Sequence, residues 1–214
     1  MSRLAYARSV LAAAHDQVGV RTGQAPNPLP PALQRLIPLQ YTRGKVLHIS
    51  CLTILWQTVV ALMGTQQWCI ALGMHDIGWL AAQQLGIDFS RVIVVEKPAS
   101  PATLSASIDG ARVVITAGTT HLSGGDQRAL AARLRQAGGS LVSLDPWPGA
   151  YQVHATTEQA TGCGDGDGYL RERILHAHAT AGRTRLCAHS AGVRLPTSST
   201  SRGSHLRVVS AGQS

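Results

Sequence analysis

Carboxylates and aromatic rings are scarce in this chain. Among 214 residues, 11 are Asp or Glu against 19 Lys or Arg, there is a single Phe, and only 14% of residues are charged. The deficit of acid leaves a net charge of +8. Such a balance favours an anionic partner, nucleic acid first, and bears on association rather than on fold. Cysteine is sparse as well: Cys51, Cys69, Cys163 and Cys187 are scattered, with no C-x-x-C pair. Together with the lack of a secretion signal at the N-terminus, this points to a reduced, cytoplasmic setting. Long apolar runs are missing too. The most apolar stretch, 46 to 63, is interrupted by His48, Ser50 and Gln57, and no run approaches the roughly 20 residues needed to cross a bilayer.

What charge there is lies at the ends. Residues 45 to 150 hold seven basic against six acidic side chains, residues 1 to 44 five against one, and residues 151 to 214 seven against four. Nearly all the cations are Arg, the side chain suited to forked phosphate contacts. The C-terminal arginines Arg171, Arg173, Arg183, Arg185 and Arg194 are therefore candidates for gripping phosphate or docking a partner.

The pattern along the chain predicts four regions. Residues 1 to 31 read as an amphipathic helix, Arg3 to Gln17, followed by a stiff linker with Pro26, Pro28, Pro30 and Pro31. Residues 32 to 156 alternate: strand 45–50, helix 55–64, strand 68–73, helix 76–85, strand 91–95, helix 101–108, strand 112–116, helix 123–137 and strand 140–144. Continuous apolar runs separated by helices predict a parallel sheet covered on both faces. Ser123 with Asp126 reads as the cap of the last helix, and Gly138-Gly139 ends it. Tyr151 to Ala155 is a further candidate strand. Residues 157 to 195 read as a flexible loop, Gly162 to Gly168, and a basic β-hairpin turning at Gly182-Arg183. Residues 196 to 214 read as a disordered tail.

The stretch Lys45 to Thr58 has the strand, bend and helix order of a phosphate-binding loop, but not its chemistry. The motif G-x-x-x-x-G-K-[ST] needs glycines that let backbone N–H groups close on phosphate, a Lys, and a hydroxyl for magnesium. Set on Cys51 to Thr58, its glycines fall on Cys51 and Trp56 and its Lys on Gln57; only Thr58 survives. The indole of Trp56 is expected to fill the phosphate space. The strand that should end in a metal-binding acid ends in Thr116 and Ala117. With both lost, no catalytic residue, nucleotide cofactor or metal is expected.

Arg43-Gly-Lys-Val-Leu-His-Ile-Ser50, Leu85-Gly-Ile-Asp-Phe-Ser-Arg-Val-Ile-Val-Val95, Ala111-Arg-Val-Val-Ile-Thr116 and the helix Asp126 to Gln136 resemble the RecA recombinase core over about residues 33 to 150. That resemblance implies an α/β fold: a RecA-like three-layer core with a mostly parallel sheet, here with an N-terminal helix and a C-terminal β-hairpin. RecA's water-activating Glu would fall on Met74 and its metal-binding Asp on Thr116. The chain is more similar still to the ImuA-type SOS mutagenesis proteins of actinobacteria. The residues behind that likeness are the lead-in Leu29-Pro30-Pro31-Ala32-Leu33, the decayed loop, Trp147-Pro-Gly-Ala150, and Leu170-Arg-Glu-Arg173 after a Gly-rich loop. The likeness implies an accessory in DNA repair and translesion synthesis after DNA damage. Its partners would be an inactive Y-family polymerase homologue (ImuB-like) and an error-prone replicative-type polymerase. DNA is a further candidate partner, and no membrane is implied. The Ser-rich tail departs from the pattern. A SulA-like inhibitor of cell division, or a DNA-binding RecA paralogue with residual ATP binding, are the alternatives.

Two further features have both a bland and a functional reading. Trp147, held between Asp145-Pro146 and Pro148-Gly149 beyond a strand end, sits where parallel sheets present partner contacts, though Trp is equally a packing residue. If Gly182-Arg183 is a turn, His178 lies opposite Cys187 and His176 opposite His189 on one face. These are zinc-ligand types, and they are as well explained by a solvated hairpin face.

Overall fold

The computed structural model describes residues 29, 31–64, 66–75, 77–164, 167–181, 184–187 and 191–193. The expected N-terminal helix, its linker, the Gly182-Arg183 turn, His189, Arg194 and the 196–214 tail lie outside the described residues.

Residues 31 to 143 fold as the alternation predicts. Helix α1 (Pro31–Leu36) leads into β1 (Lys45–Ile49), α2 (Leu52–Met63), β2 (Cys69–Leu72), α3 (Trp79–Gln84) and β3 (Val92–Val95). Then come α4 (Pro101–Gly110), β4 (Val113–Thr116), α5 (Gly124–Ala137) and β5 (Ser140–Ser143). After them run β6 (Tyr151–Gly164), β7 (Asp167–Ala181), β8 (Thr184–Cys187) and β9 (Ala191–Val193). They build one sheet in the order β3-β2-β4-β5-β1-β6-β7-β8, with β9 also on β7. The pairings from β3 through β6 are parallel, and β7 is antiparallel to β6, β8 and β9. This mixed α/β architecture, with helices on a mostly parallel sheet, is consistent with a RecA-like core.

Alternation along the strands sorts the core into two layers. Leu47, Ile49, Val113, Ile115, Val142 and Val153 face α2 and α1, where Leu33, Leu36, Ile54, Leu55 and Trp56 are buried. Val46, Val114 and Leu141 face the other way, onto Leu104 and Ile108 of α4 and Leu130 and Leu134 of α5. Because α2 is covered by the sheet on one side and by neighbouring segments on others, eight of its twelve residues are buried.

Helix α5 has clear stop and start chemistry. The Ser123 hydroxyl accepts from the Asp126 N–H while the Asp126 carboxylate accepts from the Ser123 N–H, a reciprocal capping box. At the other end Gly138 takes the left-handed conformation (φ 67°, ψ 14°), and its N–H returns to the Leu134 carbonyl. On the exposed side, the guanidinium of Arg133 pairs with Asp109 and ties α5 to α4.

Past Trp147 the structure departs from the sequence reading. Gly162 to Gly168 is no free loop: β6 continues to Gly164 and β7 resumes at Asp167, with Cys163 opposite Gly168 and Gly164 opposite Asp167. The glycines sit at the far end of a long hairpin, where the partner strand supplies hydrogen bonds that outweigh their weak β preference. β7 and β8 pair in the expected register, His178 opposite Cys187 and Ala181 opposite Thr184; the His176–His189 pair lies outside the described residues, and β9 meets β7 one residue out of that register, with Leu175 opposite Ala191. Strand β7 is longer than expected and is shared with β6. No helix among the described residues is long and apolar enough to cross a membrane.

Candidate functional site

The β1–α2 junction is where a phosphate loop would lie, and the backbone there leaves no loop. Strand β1 ends at Ile49 and α2 begins at Leu52, so Ser50 and Cys51 alone connect them. The helix expected over 55–64 begins three residues earlier, at Leu52, so of the vestigial loop set on Cys51 to Thr58 only Cys51 lies outside it, and the N–H groups beyond the first turn are committed to helical bonding. The Trp56 indole, 1% exposed, does not plug a phosphate cavity. It points into the core, with its ring centroid 5.4 Å from that of Trp79, which in turn meets Phe89 edge-on at 5.9 Å. Gln57 is half-buried. The surviving hydroxyl, on Thr58, is fully buried and donates to the Ile54 carbonyl at 2.7 Å, so it is consumed inside the helix. Cys51, at the cap position, is buried and makes no side-chain capping bond.

A row of polar side chains crosses the sheet on its α5 face at the carboxyl end of the strands. Thr116 on β4 pairs in register with Ser143 on β5, which pairs with His48 on β1, and all three are buried. The Thr116 Oγ1 and the His48 Nδ1 have no hydrogen-bond partner among the described residues. The row continues as a file of imidazoles. The rings of His48 and His154 meet edge-on at 5.2 Å, and those of His154 and His178 stack at 5.4 Å. Burial, reinforced by the charge of His154, holds His48 below the usual histidine range. Beside this row Asp145 takes the place of a strand-end acid, but it is engaged as a clasp: its carboxylate accepts from the Thr119 N–H at 2.7 Å and from the Thr119 hydroxyl at 3.0 Å. Met74 is buried.

Trp147 also requires correction as a partner contact. It is 1% exposed and lies in the core layer with Leu130, Leu134 and Leu141. The segment 144–150 must cross back over the sheet to start β6 parallel to β1, and Trp147 is the apolar side of that crossover. The Asp-Pro-Trp-Pro-Gly sequence is stiff because it bridges strands.

The hairpin arginines are only partly placed. Arg171 and Arg173 lie on β7 and Arg185 on β8, with Arg173 opposite Val193 and Arg185 opposite Thr180; their side chains and the whole of Arg183 lie outside the described residues. His176 is exposed and His178 is half-buried against His154. No group of three or more His, Cys, Asp or Glu that could hold a metal occurs among the described residues.

The structure assembles one basic feature that the sequence reading missed. A groove of about 310 Å³ runs between the start of β1, one side of α5 and the 144–150 crossover, lined in part by Gly44, Lys45, Arg128, Arg135, Pro148 and Gly149. Among the described residues no carboxylate and no aromatic ring lines it. Gly44, at φ 65°, lets the chain run so close to α5 that a Cβ there would stand 3.3 Å from the Arg135 Cα. Nearby, Arg43 and Arg112 flank Gly138, and the Arg112 guanidinium is depressed by burial and then by the charge of Arg43. The sequence signal was present: Arg128 and Arg135 are seven apart on one helix, hence on one face.

Comparison with known proteins gives two findings. Residues 34–149 match the family model described as the MT3502 N-terminal domain, from within α1 to just before β6. The chain is also similar to "Uncharacterized protein Rv3395c" of Mycobacterium tuberculosis (strain ATCC 25618 / H37Rv), 35% identical over 127 residues. That match covers 58% of this chain and 57% of the relative, so it spans little more than half of the relative's length.

Proposed function

The chain belongs to the MT3502 N-terminal domain family, and from there we propose that it is a non-catalytic accessory protein of damage-induced mutagenesis. In this reading an ImuA-type, RecA-like core serves as a scaffold in the cytoplasm. It acts through protein contacts with an inactive Y-family polymerase homologue and an error-prone replicative-type polymerase during translesion synthesis.

The observation that carries the reading is the two-residue connection between β1 and α2. A RecA-like enzyme stabilises the transferred phosphoryl group with loop N–H groups, a Lys and a metal. Here the loop residues are helical, Thr58 is bonded to Ile54, and Thr116 stands where the acid should end its strand. What remains is a rigid α/β body with a long antiparallel hairpin. Support for the ImuA-type assignment comes from the residue likenesses at Leu29 to Leu33, Trp147 to Ala150 and Leu170 to Arg173.

The test is purification of the tagged full chain co-expressed with the Y-family polymerase homologue from the same genome, with ATP turnover measured on the product. The reading expects a stoichiometric complex and no turnover above a buffer blank. Turnover by the purified chain, or failure to associate while the chain instead arrests division when overproduced, would sink it.

A further inference from the structure

The groove between β1, α5 and the 144–150 crossover collects positive charge without neutralising it. Lys45, Arg128 and Arg135 are exposed along it, and none of their side chains forms an ion pair or hydrogen bond with another described residue. Two core cations are paired, Arg91 with Asp88 and Arg133 with Asp109, while Arg35, Arg43, Lys97 and Arg112 form no ion pair among the described residues; what sets Lys45, Arg128 and Arg135 apart is that they line one cleft. The contrast is sharpest on α5 itself, where Arg133 is neutralised and Arg128 and Arg135, on another face, are not.

Part of this charge has an internal role, since Arg43, Arg112 and Arg135 lie by the C-terminus of α5 and meet its partial negative charge. Arg128 stands in the helix's first half and Lys45 opens β1, so neither is accounted for in that way. Like charges facing one cleft repel in the empty protein, and an anion between them removes the repulsion.

The lining sets the chemical class. With no aromatic ring in it, the groove offers no platform for stacking a base. With no carboxylate, it offers nothing to a cationic or amine-bearing ligand. Lys supplies a point charge, and Arg a planar fork that matches phosphate oxygens. Two cations spaced seven residues apart on α5 lie about 10 Å apart along its axis, farther than one phosphate spans and suited to successive phosphates of one strand. A cleft of this size does not admit a duplex.

We propose that this groove holds the sugar–phosphate backbone of single-stranded nucleic acid, read without regard to sequence, with Lys45, Arg128 and Arg135 as phosphate contacts. The site is distinct from the hairpin arginines, and it stands apart from the accessory reading: strand binding and polymerase association are separate measurements.

Fluorescence anisotropy of a labelled oligothymidylate, titrated with the full chain across a salt series, tests it. Wild type is expected to bind with affinity that falls steeply as salt rises. The combined variant Lys45→Gln, Arg128→Gln, Arg135→Gln should lose at least tenfold in affinity, with the log–log salt slope reduced by about 2, three contacts at about 0.7 each. Arg91→Gln with Arg133→Gln, which removes two cations already paired, should bind like wild type. Arg128→Gln alone, on an exposed helix face, guards against misfolding of the triple variant and should show part of the loss. Absence of wild-type binding at low salt overturns the proposal, and so does a groove variant that keeps the wild-type slope. Displacement of the strand by an equal concentration of inorganic pyrophosphate, with affinity independent of oligonucleotide length, would reassign the groove to a free phosphate and overturn the strand assignment.

Discussion

Thr58 donates its hydroxyl to the Ile54 carbonyl at 2.7 Å, one turn back in α2 and out of contact with solvent. The bond uses only the hydroxyl proton, and it is full burial that closes the oxygen to a magnesium ion arriving from solvent. Thr58→Val keeps the shape and removes the bond. Since side-chain bonding to the preceding turn adds little to helix stability, the change in unfolding free energy should stay below about 1.5 kcal/mol. Urea denaturation reads that change, and titration with Mg-ATP should find no difference between variant and wild type. A loss of nucleotide affinity on this substitution would show that the hydroxyl faces a ligand.

Trp147 should behave as core. Truncation to Ala removes a fully buried indole from between the crossover and α5, a change that costs about 3 to 5 kcal/mol in comparable sites. Against a typical total of about 5 to 15 kcal/mol, Trp147→Ala is expected to lower the melting temperature sharply or abolish cooperative unfolding. Trp68, 49% exposed, is the matched control. Trp68→Ala should leave the melt nearly unchanged, and equal effects from the two would contradict the burial pattern.

The Asp145–Thr119 clasp joins the loops that follow β4 and β5. Asp145→Ala leaves the buried Thr119 N–H and hydroxyl without their acceptor. Unmet buried donors cost about 1 to 3 kcal/mol. The Asn variant keeps one carbonyl acceptor and should recover part of the loss. Hydrogen exchange at the Thr119 amide gives the local readout: faster in Ala, intermediate in Asn.

How far the sequence carried depended on whether an element is specified locally. Strand β1 was legible to within a residue because Val46, Leu47 and Ile49 put apolar side chains on both faces of a buried sheet. The cap of α5 was legible because Ser123 and Asp126 act across three residues. The start of α2 was misplaced because aligning 51 to 58 on a motif imposed a loop on residues whose packing makes them helix. The glycines at 162 to 168 signalled a turn, and only the long-range pairing of β6 with β7 shows that strand runs on both sides of it. The basic groove was missed for a related reason: the shared helix face of Arg128 and Arg135 was readable, but their meeting with Lys45 was not. Residues 45 to 150 are nearly neutral in sum, and it is the fold that brings Lys45 beside α5 while sending the compensating carboxylates elsewhere.

His48 gives the protein an acid sensitivity whose sign follows from burial. The folded chain holds the imidazole below its ordinary value near 6.5, whereas the unfolded chain does not. Below pH about 6.5 the unfolded state therefore takes up a proton that the folded state refuses. Stability from the neutral ring is present above that pH, falls between it and the lowered folded value, and levels off once both states are protonated. The slope in that window is at most about 1.4 kcal/mol per pH unit for one group. His48→Gln should flatten the curve of unfolding free energy between pH 7.5 and 5, and an unchanged slope would assign the acid sensitivity elsewhere.

At the alkaline end the corresponding group is Tyr151, the first residue of β6. Its hydroxyl donates to the Leu36 carbonyl at 2.6 Å and its ring stacks on Tyr41 with centroids 4.2 Å apart, so it fastens α1 and the following turn to the sheet. Burial, then the neighbouring Tyr41, pushes its pKa up to about 12. A phenol in the unfolded chain ionises near pH 10, which makes the sign opposite to that of His48. The contribution is whole below pH about 10 and is lost as pH rises toward 12, because only the unfolded state releases the proton there. Tyr151→Phe keeps the ring stack, leaves the Leu36 carbonyl unpaired, and should cost about 1 kcal/mol at neutral pH. It should also reduce the loss of stability between pH 10 and 12. Urea melts at pH 7, 9.5 and 11 separate these effects: an equal stability at pH 7 would contradict the Leu36 hydrogen bond, and a parallel decline above pH 10 would show that Tyr151 is not the group that titrates there.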